Sequence, residues 1–250
     1  MSDADSLKKR INDGEIVLGV SAPITSTKSQ LEDIFSKDSH DFVGTDSQHS
    51  PFNEERLVEF CGNTAELGMP VQFRIKHTRH TYLVGNLLDL GPFGIEVPQT
   101  ETEETAQEAV DYFYYPQKGK RSWGPRHGTG APVIVSELDP KGREDRLEYA
   151  GWWNNHGVLW LQIESVEAIT KCHKLARPGV DCLSWGPADL SFSRESHPNH
   201  PFQSDDDCVR AVVSHLEGTG TRLAYRNPDP NNRAKYTDMG ATVLLERPKP

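Results

Sequence analysis

The sequence predicts one α/β domain folded as a (β/α)8 TIM barrel, and three observations lead there. Short β-like runs alternate with amphipathic helical stretches along nearly the whole chain, the signature of a parallel sheet with crossover helices. Eight such runs can be counted, with no internal repeat and no low-complexity tract, which favours a closed barrel over an open doubly wound sheet. The length, 250 residues, suits a single-core barrel.

In chain order the strands fall at Ile16–Ala22, Phe42–Ser47, Val71–Lys76, Gly94–Thr100, Val158–Glu164, Val180–Trp185, Thr221–Arg226 and Ala241–Glu246. Between them, Asn53–Leu67 carries Leu57, Phe60, Cys61, Ala65 and Leu67 at helical spacing, as an outer helix should. Glu101–Tyr115 follows Thr100 as an N-cap, and its early glutamates suit the positive end of the helix dipole. One connection, at about 116–157, is far longer than the rest. Its first part, KGKRSWGPRHGTG, is basic and glycine-rich, and long loops of this kind often act as lids or binding loops. The sequence ends soon after the eighth strand, so the barrel reads as lacking its last outer helix. The N-terminal segment Asp3–Asn12 or a neighbouring subunit would then cover what that helix leaves open.

Composition removes several classes of function. A formal charge of −10 argues against a nucleic-acid partner, which needs a basic surface to displace counterions. No apolar stretch approaches the roughly 20 residues of a membrane span, and MSDADSLKKR lacks the apolar core of a secretory signal. Cys61, Cys172, Cys182 and Cys208 form no CxxC pair, which fits structural thiols in the cytoplasm.

In a barrel the chemistry sits where strands end. Glu164 and Asp189 lie 189 − 164 = 25 residues apart, about one βα repeat, and so project from adjacent strand ends into one mouth. A carboxylate pair that leaves positions for water or substrate oxygens suits Mg²⁺ or Mn²⁺; each carboxylate capping its own helix is the plainer reading. Arg74, on the opposite face from Phe73, can hold a carboxylate and stabilise an enolate oxygen, or form a structural ion pair inside the barrel. Lys76 shares its face and keeps a Schiff-base mechanism open. Asp46 and His49 share a loop in which the carboxylate can orient the imidazole as a base. His77 and His80 form an HxxH pair without a third ligand, and Lys118–Gly130 fits no phosphate loop.

Taken in order, DSQHSP, FRIK, IEVPQTE, YYPQKGKRSWGP, LQIESVEAI and GVDCLSWGPADLS resemble the HpcH/HpaI family of metal-dependent pyruvate aldolases, from about residue 15 to 245. QIES and GPADLS carry most of the resemblance. It implies a (β/α)8 barrel holding Mg²⁺, Mn²⁺ or Co²⁺ on Glu164 and Asp189 with Gln162 beside the ion. It implies further that Arg74 contacts the pyruvyl keto oxygen, that the Ala188 and Asp189 amides hold its carboxylate, and that Asp46 and His49 assist proton transfer. Asp89, in NLLDLG, is similar to an aspartate that reaches a neighbouring subunit's site, which implies a homo-oligomer. The substrates so implied are a small-molecule 2-oxo acid, pyruvate or hydroxypyruvate, and an aldehyde held by the long loop and Tyr225. With a metal as electron sink, Lys76 is not needed.

Three features depart from the family pattern, one of them a loop after Arg74 that is one residue longer. Gln48 stands where an acidic residue is usual, which bears on His49 as the base, and the final helix often exchanged between subunits is missing. Oxaloacetate decarboxylation shares the enolate, a malyl-CoA-type lyase would need a basic cluster that is not evident, and a catalytically silent barrel should have lost at least one of Glu164, Asp189 or Arg74.

Overall fold

The structure, a computed structural model, describes residues 6–124 and 146–249. Eight parallel strands close into a barrel in chain order: β1 (Val17–Ser21), β2 (Phe42–Asp46), β3 (Val71–Arg74), β4 (Gly94–Val97), β5 (Val158–Ile163), β6 (Cys182–Trp185), β7 (Arg222–Asn227) and β8 (Val243–Glu246). All eight expected strands are present. Most are shorter than predicted: the final residues of the first five runs leave the ladder toward the mouth, whereas β6 and β8 each start two residues later than expected. β3, for instance, ends at Arg74, and Lys76 lies beyond it, exposed.

The described helices are α1 (Leu7–Asp13), α2 (Lys28–Ser36), α3 (Glu54–Glu66), α4 (Val84–Leu88), α5 (Glu103–Phe113), α6 (Arg146–His156), α7 (Val166–Leu175), α8 (Pro187–Ser196), α9 (Asp205–Leu216) and α10 (Arg233–Asp238). α3 buries Leu57, Phe60 and Cys61, as its spacing predicts. α5 is capped by Thr102, whose hydroxyl accepts from the Thr105 amide, and not by Thr100, which is buried and donates to the Val97 carbonyl. The expected long loop shrinks from its far end, since α6 occupies its last part; residues 125–145 lie outside the described residues.

The lumen is packed by pairing glycines with large neighbours. A side chain at Gly19 would meet the Phe42 ring, one at Gly44 would meet Leu245, and one at Gly94 would meet Gln72. Phe42 in turn packs edge-on against Trp160, with ring centroids 5.5 Å apart. α1 seals the floor. The Lys8 ammonium donates to the Asp181 carboxylate, the Tyr114 hydroxyl and the Gly157 carbonyl, each at 2.8 Å. Arg222 of β7 donates to the carbonyls of Ile11 and Asn12. The N-terminal segment thus covers the barrel, as expected. Among the described residues no helix follows β8; the chain there is tied down by Lys249, which pairs with Asp38 at 2.9 Å. No helix among the described residues is long and apolar enough to cross a membrane.

Candidate active site

Parallel strands deliver their C-terminal residues to one rim, and here that rim gathers most of the predicted chemistry. Asp46 of β2 and Arg74 of β3 are register partners. Arg74 grips the carboxylate in a two-pronged ion pair, Nε to Oδ1 at 2.8 Å and Nη2 to Oδ2 at 2.7 Å, and its Nη1 donates to Gln162 Oε1 of β5 at 3.1 Å. The same carboxylate accepts the backbone N–H groups of Gln48 and His49 at 2.8 and 3.4 Å. Burial pushes the Asp46 acid up, but the Arg74 hydrogen bonds and charge outweigh it and leave the group below its ordinary value. Asp46 is therefore a poor base and a firm holder of Arg74.

Glu164 sits just past β5 and is 5% exposed. Its Oε2 accepts the Gln99 N–H at 3.1 Å. Gln99 is the one described non-glycine residue with positive φ, 46°, and backbone held there against preference is common at working sites. Burial, then the neighbouring charge of Asp189, raises the Glu164 acid from 4.5 to about 7. Across from it, Gly186 leaves no room for a side chain: a Cβ there would lie 2.3 Å from Glu164 Cγ and Oε1. Gly186 is also the N-cap of α8, with no side-chain capping bond and Pro187 in the first turn. The Ala188 and Asp189 amides, at the positive end of the helix, thus face the mouth without a capping side chain, an arrangement suited to an anion.

These donors fit a hard divalent ion. A carboxylate whose proton affinity is raised by the charge of a neighbouring one gains from a shared cation, both offer oxygen only, and Gly186 keeps Glu164 free of steric cover.

The pattern of the HpcH/HpaI aldolase/citrate lyase family matches residues 24–239. The chain belongs to that family. The 2-keto-3-deoxy-L-rhamnonate aldolase of Escherichia coli strain K12 is 27% identical over 244 residues, covering 96% of this chain and 86% of the relative. Among solved structures, an HpcH/HpaI aldolase from Desulfitobacterium hafniense superposes with a TM-score of 0.79 at 23% identity, covering 97% of this chain and 90% of the other. Macrophomate synthase superposes at 0.74 with 20% identity, covering 97% and 83%. The protein is an enzyme, a lyase of the aldolase type. Aldolases of this family generally depend on a divalent metal.

As an HpcH/HpaI barrel the chain keeps some predicted residues together and separates others. Gln162, Glu164, Asp189, Ala188, Arg74 and Asp46 share the mouth. His49 lies exposed on the rim, and Asp46 holds it through its backbone N–H, not through the ring. Lys76, His77 and His80 are exposed; the two imidazole centroids are 6.4 Å apart, and His77 Nδ1 accepts the Arg79 amide. Asp89 follows α4, at the opposite end of the barrel from the chain's own mouth. It pairs at 2.6 Å with Arg121, whose guanidinium lies over the rings of Tyr115 and Trp153. The expected contribution of Tyr225 is overturned: it stacks on Tyr236, with centroids 3.9 Å apart, because alternation along β7 turns it outward into the helix layer.

The residue that turns inward instead is Arg226, and sequence reasoning missed it together with Glu96 and Gln72. Arg226 Nη2 donates to Glu96 Oε2, and Ser184 Oγ donates to Glu96 Oε1 at 2.5 Å. The available signal was the same alternation, which puts Gly94 and Glu96 on one face of β4 and Arg222, Ala224 and Arg226 on one face of β7. A further cluster, Asp38, His40 and Glu246, brings its ligand atoms within 4.8 Å of one another. Arg233 donates to both carboxylates and Lys249 to Asp38, so the acids there are neutralised by the chain itself.

Proposed function

We propose that the enzyme makes or breaks a carbon–carbon bond between an aldehyde and the enolate of pyruvate or hydroxypyruvate, with Mg²⁺ or Mn²⁺ held by Glu164 and Asp189. One observation carries the reading: the buried Glu164 beside Asp189, its acid raised to about 7, facing a guanidinium already fixed by Asp46. A bound divalent ion supplies positive charge that favours an enolate at neutral pH. The uncapped start of α8 binds the carboxylate of the 2-oxo acid. Arg74 directs its charge at the oxygen that becomes negative, and Gln162 and Asp46 hold it there so that no reorganisation is needed when charge develops. Asp46 acts as the positioning residue for Arg74, and the His49 ring, on the same loop and open to the mouth, moves the proton at the acceptor oxygen. Asp89 is read as serving a neighbouring subunit's site, which requires a homo-oligomer. The four cysteines, all buried and unpaired, fit a reducing cytoplasm.

The first test is exchange of the pyruvate methyl protons in D₂O, followed by NMR, with Mn²⁺ and again after chelation. Exchange that needs the metal is expected, and none with pyruvate, hydroxypyruvate or oxaloacetate would remove the reading. Arg74→Ala should slow exchange by roughly 10² to 10³-fold, the scale of one lost oxyanion contact. A borohydride-trapped adduct on Lys76 would reverse the mechanistic class.

A further inference from the structure

The turn that follows β4 is anchored to its neighbours on either side of Gln99. The Thr100 amide donates to the Gln162 carbonyl of β5 at 2.8 Å, and the Thr100 hydroxyl to the Val97 carbonyl at 3.2 Å. Just before this anchor lies the peptide group that joins Pro98 to Gln99, and it is gripped at both ends. Its N–H donates to Glu164 Oε2 at 3.1 Å, while its carbonyl accepts the Thr78 hydroxyl at 2.9 Å. A peptide group is planar, so the direction of its carbonyl fixes the direction of its N–H. Hydrogen bonds in series also polarise one another, which strengthens the bond to the carboxylate. The turn needs such a hold, because the Gln99 φ of 46° is a conformation that a side chain disfavours. The same hydroxyl lies 3.5 Å from the Gln99 carbonyl, so Thr78 spans both carbonyls that flank this residue.

We infer that Thr78 is a positioning residue for the metal centre: its hydroxyl, acting through the Pro98–Gln99 peptide, orients the Glu164 carboxylate by holding Oε2 and leaves Oε1 for the cation. The inference rests on the reading that Glu164 and Asp189 hold the ion, and it adds a residue that acts on Glu164 through backbone alone. Oε1 is the oxygen beside Gly186, the position where a side chain has no room, so holding one oxygen and clearing the other work together. The loop after Arg74 thereby gains a task. Its Lys76, His77 and His80 are exposed, whereas Thr78, half-buried at the start of the 3₁₀ turn Thr78–Leu83, is the residue that reaches the β4 turn. Its own backbone is held in place: the His77 ring caps the turn by accepting the Arg79 amide, and the Thr81 hydroxyl donates to the Thr78 carbonyl.

Calorimetric titration with Mn²⁺ tests this on the wild-type enzyme, on Thr78→Val, which keeps the shape and loses the hydroxyl, and on Thr78→Ser, which keeps the hydroxyl. Removing the support of a metal ligand weakens binding by about 10 to 100-fold, and Thr78 acts one step further out, so Thr78→Val should raise the Kd about tenfold and Thr78→Ser less than about twofold. The EPR spectrum of the bound Mn²⁺ should change in Thr78→Val and match the wild type in Thr78→Ser. A purely structural role would lower the denaturation midpoint of Thr78→Val and leave its Kd unchanged, and that result overturns the inference. Equal weakening in the valine and serine variants overturns it too. Should Thr78→Val not fold, Thr78→Ala removes the same hydroxyl and is read in the same way. Glu164→Gln separates the two levels. If it abolishes Mn²⁺ binding while Thr78→Val binds as the wild type does, this inference alone falls; if it binds Mn²⁺ undiminished, the metal assignment falls and this inference with it.

Discussion

At Gly186 the need for glycine is steric, since its φ of −106° is open to any residue. A methyl there would sit 2.3 Å from Glu164 Cγ. Gly186→Ala should therefore turn Glu164 out of position and weaken Mn²⁺ binding by about 10 to 100-fold, the usual effect of disturbing a ligand's support. Calorimetric titration would measure this, and an unchanged far-UV CD spectrum would show that the fold persists. Glu164 itself makes metal binding depend on pH. Its carboxyl is raised from 4.5 to about 7, so between those values the folded protein holds a proton that the unfolded chain has released. This contribution favours the folded state at low pH and fades as pH rises through 7. A cation needs the opposite form, so Mn²⁺ affinity should climb by up to tenfold per unit toward pH 7 and then level off, with a proton released on binding below it. Titrations in buffers of different ionisation enthalpy would count that proton; a flat profile would exclude Glu164 as a ligand. QIES and GPADLS made this pair legible in the sequence. The bond from Gln99 was not, because it depends on a loop conformation that no local pattern specifies.

Among the elements, α1 shows how a short amphipathic segment can complete a barrel. Its Lys8 is buried against Asp181, whose acid burial raises and the nearby ammonium draws back down. Lys8→Met should cost about 3–5 kcal/mol, because it leaves a buried carboxylate without its cation. Lys8→Met combined with Asp181→Asn should recover part of that loss, as urea denaturation of the single and double variants would show; equal losses in both would mean that the helix is held by its apolar contacts alone. The sequence offered this segment, which precedes the first strand, as one of two covers beside a neighbouring subunit, and α1 takes that place within the chain itself. α6 escaped notice for a different reason. Tyr149, Trp152, Trp153 and His156 fall at helical spacing, but Gly151 and the Asn154–Asn155 pair weaken its propensity, and the glycine-rich run before it suggested continued loop.

For the whole molecule, the strands and their order were legible because alternation of elements nearly forces a parallel barrel, whereas the lumen was not, because its contacts join distant segments. Glu96 and Arg226 meet across 130 residues, and which of Tyr225 and Arg226 points inward depends on a one-residue phase along β7. The same closure sets a volume rule inside the barrel. Phe42 and Trp160 fill the centre, and β1 can approach them only because Gly19 has no side chain; a Cβ there would lie 2.2 Å from the Phe42 ring. Since packed interiors yield little, Gly19→Ala should destabilise the barrel by about 1–3 kcal/mol through overpacking. Phe42→Leu in that background should return part of the loss, although Phe42→Leu alone destabilises, because each change then offsets the other's volume. Denaturation midpoints of the two single variants and the double would give the coupling. Additive losses would mean that β1 and β2 shift apart to accept the methyl, and that glycine at this position does not set the barrel's closure.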